Sequence, residues 1–153
     1  LQINIVAVGN IKEKFLKDAC GEYLKRLQAY AKITIIEVEE ENKGNTTTRQ
    51  QKEGEKILKK IAKDSYTIIL AIKGKSFSSE KFADKINQLA IYGNSHLTFI
   101  IGGSDGLSPE VMQKADLSLS FSEMTFPHQL MRVFLLEQIY RAYKIIRGEH
   151  YHK

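Results

Sequence analysis

A single α/β domain on a mostly parallel sheet of about five strands, flanked by helices, is the fold this sequence predicts, and three observations predict it. Short apolar, β-branched runs alternate with amphipathic stretches of helical period along the whole chain, the pattern of a parallel sheet covered by helices. One of the runs, residues 66–72, is apolar almost without interruption, as suits a strand in the middle of a sheet covered on both faces. The chain has 153 residues, 42% hydrophobic and 27% charged, enough for one core, with no repeat or low-complexity linker to divide it.

Taken in order, residues 3–8 read as a buried strand ending at Gly9, and residues 12–30 as a helix with Phe15, Ala19, Tyr23, Leu24 and Leu27 at helical spacing. Residues 32–38 (KITIIEV) form a second strand, followed by an acidic, polar loop over 39–47. A charged amphipathic helix over 48–62 turns Ile57, Leu58 and Ile61 inward and carries Glu-to-Lys pairs four apart. After the strand at 66–72, Ser78 or Ser79 caps a helix bearing Phe82, Ile86 and Leu89. The strand at 97–101 leads into a glycine turn at 102–106, and Ser108-Pro109-Glu110 opens a helix with proline at its first position. A short strand at 117–121, a loop at 122–129 and a long helix over 128–146 complete the chain. That helix is apolar almost all round, with only Glu137, Gln138, Arg141 and Lys144 forming a polar face. One side therefore packs on the sheet and the other on something else, a partner subunit being the economical choice. Arg132 falls on the apolar side, where a guanidinium needs an anionic or carbonyl partner. A structural ion pair and a role at an active site or subunit interface both meet that need.

Net charge is +5, and from Arg132 onward five basic residues oppose two acids, a local +3, so an anionic partner is favoured. The one cysteine, Cys20, has no partner for a disulfide and lies in a helical pattern, which points to a reducing, cytoplasmic compartment. No apolar run approaches the roughly 20 residues that cross a bilayer. The opening LQINIVAVGN lacks the basic start and cleavage site of a signal peptide, so no membrane partner is expected.

Residues 97–132 contain two strand–turn–helix units whose loops share one sheet edge, the edge at which α/β proteins bind ligands. Gly74-Lys75-Ser76 would end a P-loop only if residue 69 were glycine, and it is Ile69. Gly102-Gly103-Ser104-Asp105-Gly106 fits the G-x-S-x-G of a hydrolase elbow, but a hydrolase needs a larger sheet, and a later acid and histidine. As a plain glycine turn the same residues let backbone approach a ligand closely. His128, His150 and His152 lack acid or thiol companions at ligand spacing, so no metal is expected.

With GGSDG after a strand, then LSFSEMTFPHQLMR, LLEQIYRAYKI and a closing YHK, the chain resembles the RlmH family of ribosomal large-subunit pseudouridine N3-methyltransferases, of the SPOUT class. The resemblance runs the whole length and includes the opening IVAVGN and the KEGEKIL helix. It implies a homodimeric α/β protein with a trefoil knot that binds S-adenosylmethionine, uses no metal, and acts on a pseudouridine of 23S rRNA in the assembled ribosome. Carried over by position, the cofactor contacts fall on Leu70, Gly102, Phe121, Ser122, Glu123, Met124, Thr125 and Phe126. S-adenosylmethionine has no phosphates, so it needs backbone polar groups and apolar walls such as Leu70, Met124 and Phe126. His128, Tyr151 and His152 are the candidates for handling the proton or positioning the base, while Arg132, Arg141 and Lys153 are expected to contact phosphate or fix the substrate. The rivals are a SPOUT enzyme acting on tRNA, a Ser104 hydrolase and a non-catalytic RNA-binding module.

Overall fold

The computed structural model describes all 153 residues, Leu1–Lys153. Ten elements alternate: β1 (Gln2–Val8), α1 (Lys14–Leu27), β2 (Lys32–Val38), α2 (Thr46–Lys60), β3 (Tyr66–Ser76), α3 (Ser79–Ile91), β4 (His96–Ile101), α4 (Pro109–Lys114), β5 (Leu117–Ser120) and α5 (His128–Ile146). The strands form one sheet in the order β2-β1-β4-β3-β5, and every pairing is parallel. All five carboxyl ends therefore meet at one edge.

Strand alternation divides the core in two. Ile3, Ile5 and Ala7 of β1, Phe99 of β4 and Ile68 of β3 face α1, α3 and α5, and Cys20, its thiol pushed up by burial, belongs to this larger core. Val6 and Val8, Ile69 and Ile100 face the other way, against Ile57 of α2 and Val111 of α4. Covering both faces explains the uninterrupted apolar runs in β3 and β4.

Three elements depart most from the sequence reading. Helix α1 is shorter than residues 12–30, starting after Glu13 and closing at Leu27. Helix α2 starts two residues early because Asn45 Oδ1 accepts the Thr48 N–H at 2.8 Å, an N-cap hidden among turn-like threonines. Strand β3 runs four residues past Ile72 to Ser76. Leu70 and Lys75 both pair with Leu119, so residues 71–74 bow out of the ladder and the strand then rejoins it. Only glycine fits at position 74, where a Cβ would lie 2.7 Å from the Ser118 carbonyl carbon and oxygen.

Candidate functional site

At the carboxyl edge the chain encloses a cavity of about 380 Å³, lined by 19 residues of which 11 are apolar, within the size range of small-molecule sites. Its walls are the bow of β3 from Leu70 to Lys73, the turn after β4, the loop after β5 and the first turn of α5. Seven of the eight residues expected at the cofactor stand in these walls: Leu70, Gly102, Phe121, Ser122, Met124, Thr125 and Phe126. Glu123 is exposed and lies outside the lining. Of the catalytic candidates, His128 lines the cavity, whereas Arg132, Arg141, Tyr151 and His152 do not.

The turn after β4 owes its shape to contacts the sequence did not advertise. Gly106, at φ +78°, donates its N–H to Gly103 O at 3.0 Å, and a Cβ on Gly103 would sit 3.0 Å from Val8 Cγ1. Asp105, which nothing in the sequence singled out, is gripped by Arg49 of α2, Nε to Oδ2 at 2.8 Å and Nη2 to Oδ1 at 3.1 Å. This fork holds the Asp105 carboxyl below its ordinary value. Gln50 Nε2 donates to the Asp105 carbonyl at 2.5 Å, so α2 secures both ends of that residue. Behind the turn stands Glu53, 2% exposed. Its Oε2 accepts the Glu41 N–H at 2.9 Å, and its buried Oε1 has no partner.

Burial pushes the Glu53 carboxyl above its ordinary value; the Glu41 N–H opposes this, and Asp105 and Glu40 add to it. A carboxyl raised in the folded state stabilises fully below its unfolded value, and that contribution is lost as pH rises through the folded value. Glu53→Gln keeps an oxygen for the Glu41 N–H and has no charge to bury. In denaturant melts the variant should therefore gain on the parent protein as pH climbs from 5 to 8. A difference that stays constant with pH would mean Glu53 is not the titrating group.

Arg132 meets the need the sequence exposed. Only 3% exposed, it places Nη1 2.5 Å from Glu37 Oε2 and donates from Nη2 to Gly9 O at 3.2 Å, while Nε has no partner. The structural ion pair thus forms, pinning α5 to the ends of β1 and β2. One turn earlier on the same helix His128 reaches the same place, its Nε2 3.8 Å from where a Gly9 Cβ would be.

The C-terminal residues fold back on their own α5 and α3. Tyr151 donates to Glu137 Oε1 at 3.2 Å, meets Tyr140 edge-on at 4.9 Å and lies under Arg141 at 4.8 Å. Burial, then the Glu137 charge, push its phenol up to about 12, so at neutral pH Tyr151 is a donor and not a base. His152 Nδ1 is 3.0 Å from Arg141 Nη1, and its Nε2 is 2.6 Å from Glu80 Oε1. Arginine can only donate, so Nδ1 is the accepting nitrogen and Nε2 the one directed at the Glu80 carboxylate. The polar face of α5 expected from the sequence is thus partly covered by the chain's own tail. Glu137 lies nine residues beyond His128, about 13 Å along the helix, so the docked tail is remote from the cavity mouth on its own subunit.

Ser104 loses its claim as a nucleophile. Its Oγ makes one long contact, 3.5 Å to Glu40 Oε1, and the only non-glycine residue at positive φ is Asp64, so the turn lacks the strain of a nucleophile elbow.

A family model described as "Predicted SPOUT methyltransferase" matches residues 1–152. Proteins called ribosomal RNA large subunit methyltransferase H are similar along their entire length. That of Carboxydothermus hydrogenoformans is 57% identical, that of Bacillus pumilus 55% and that of Bifidobacterium adolescentis 54%, each with 100% of both chains covered. Among solved structures, a probable methylase family protein from Haemophilus influenzae shares the fold, with a TM-score of 0.52 at 12% identity over 95% of this chain and 66% of the other.

Proposed function

The chain belongs to the SPOUT methyltransferase family, and from that membership we propose its reaction: transfer of a methyl group from S-adenosylmethionine to N3 of a pseudouridine in 23S rRNA, on assembled ribosomes, by a homodimer. The observation that carries this reading is the apolar cavity that gathers Leu70, Gly102 and the loop after β5. Its chemistry suits the cofactor. Apolar walls from Leu70, Phe121, Met124 and Phe126 accept the adenine, and the backbone of the glycine turn and of residues 121–126 offers polar groups in place of a phosphate cradle.

When bound, S-adenosylmethionine supplies an electrophilic methyl carbon on a sulfonium that departs neutral, so no Lewis acid is needed. This chain's residues orient the two reactants, which is the larger share of the acceleration, and handle one proton. Methylation at N3 would require the N3 proton to be removed. His128 lines the cavity, which supports a role for it in taking that proton and passing it to water. Arg132 acts through position, holding α5 and with it His128 against Gly9. Arg141 orients the ring of His152 through Nδ1. The cytoplasm is the compartment this substrate requires, and no helix is long and apolar enough to cross a membrane.

The deciding experiment offers labelled S-adenosylmethionine with whole ribosomes, separated subunits, naked 23S rRNA and tRNA, followed by mapping of the modified base. Label should enter N3 of one pseudouridine, most rapidly in assembled ribosomes. Equal labelling of naked rRNA would remove the ribosome from the reading, and labelling of tRNA alone would replace it. A methyl added at Gly102 would stand 3.0 Å from Leu107 Cδ2 and 3.2 Å from the Gly106 carbonyl carbon. Gly102→Ala should therefore weaken S-adenosylhomocysteine binding about tenfold by calorimetry. Unchanged affinity would move the cofactor elsewhere.

A further inference from the structure

Beside the cofactor cavity, at the ends of β1 and β2, lies a second one of about 480 Å³, and the two share His128. We propose that this second cavity receives the acceptor base, a uracil-type ring with its ribose, and that the side chains of Asn10 and Gln129 hold its imide edge toward the methyl donor. The inference rests on the methyltransferase reading and adds the acceptor's location to it.

Three features argue for a base in this place. The first is lining: ten residues form the cavity and one is apolar, against eleven of nineteen next door. A uracil-type ring presents an N–H between two carbonyl oxygens, and carboxamide N–H groups that donate to those oxygens hold this edge while leaving the ring N–H free for His128. Asn10, Asn42 and Gln129 all line the cavity, and none of their amides is spent on a hydrogen bond within the protein. Charge is the second feature. Glu37, Glu39 and Glu40 outnumber Lys12 in the lining, so the cavity repels a phosphate while admitting a neutral ring.

The third feature is rigidity. Gly9 and Glu37, at the ends of the two strands, are tied together by the buried Arg132, through Nη2 to the Gly9 carbonyl and Nη1 to the Glu37 carboxylate. A floor held by a buried cation is preformed, and its glycine leaves room for close approach: a Cβ there would be 3.8 Å from His128 Nε2 and 3.9 Å from Glu40 Oε2. A ring seated above Gly9 meets His128 on the side facing the cofactor cavity, which is where its N3 must be for an in-line transfer.

Asn10→Ala and Gln129→Ala test this in the full-length protein, because neither side chain supports the fold. With saturating S-adenosylmethionine and ribosomes as acceptor, each should lower kcat/KM about tenfold, the loss of one or two hydrogen bonds to a positioned ring. S-adenosylhomocysteine affinity by calorimetry, the melting temperature and the salt dependence of the reaction should all match the parent protein. Wild-type methylation by both variants would overturn the proposal. A parallel loss of S-adenosylhomocysteine affinity would also overturn it, by placing the amino-acid end of the cofactor there, and a shallower salt dependence would do so by placing a backbone phosphate there. Failure of the unaltered protein to methylate any RNA would instead sink the parent reading, and it shows before a variant is made.

Discussion

Removal of residues 151–153, or His152→Ala, should cut methyl transfer to ribosomes by at least about a hundredfold, the scale of a lost proton-handling or base-positioning group. S-adenosylhomocysteine should still bind, because neither Tyr151 nor His152 lines the cofactor cavity. The expectation follows from a mismatch of place. The tail is ordered and carries hydrogen-bonding groups, yet on its own subunit it is docked on Glu137, Arg141 and Glu80, about 13 Å along α5 from His128. To act in the reaction it must serve the cavity of a second copy. A mixture of tail-less subunits with Gly102→Val subunits, each inactive alone, should then recover activity, because one of the two sites in the mixed dimer joins an intact cavity to an intact tail. Wild-type turnover by the truncated chain would leave the tail a purely structural strap, and no recovery in the mixture would confine the tail to its own subunit.

Glu37→Leu should destabilise the fold by about 3 kcal/mol, the lower end of the cost of orphaning a buried charge. Arg132 is 3% exposed and cannot follow its partner into water, so its guanidinium would keep only the Gly9 carbonyl. The melting temperature should fall by about 6 to 12 °C in a domain of this size. Glu37 is itself 43% exposed, which is why the lower end applies. The companion measurement is Glu37→Leu with Arg132→Met, which removes both charges and should recover most of the loss. If the single variant melts within about 1 °C of the parent protein, water already shares the Arg132 charge and the ion pair contributes little to the fold.

Local pattern made much of this protein legible before any coordinates. The βα alternation, the cover on both faces of β3, and the capping serines at Ser78 and Ser108 all arise from periods and caps that neighbouring residues spell out. Much of the wall of the apolar cavity falls on positions supplied by the family resemblance, because Leu70, Gly102 and most of residues 121–126 lie in short stretches of chain. The bow of β3 was not legible, since Lys73-Gly74-Lys75 reads as a turn, and only the pairing of Leu119 with both Leu70 and Lys75 shows that the strand resumes. Asp105 was passed over because its importance lies in Arg49, 56 residues earlier.

By itself, then, the sequence determined the elements, their order, the apolar faces they bury and the presence of a ligand edge near residues 97–132, because each is written in spacings of two to four residues. The tertiary structure alone decided who meets whom across the edge. It chose Glu37 and Gly9 for Arg132 across 95 and 123 residues, set the strand order that puts β1 beside β4, opened a polar cavity next to the apolar one, and docked the tail on α5. Such pairings have no period to betray them. They follow from which carboxylate or carbonyl is left within reach of a buried cation once the sheet has closed, and that is settled only when the whole chain has packed.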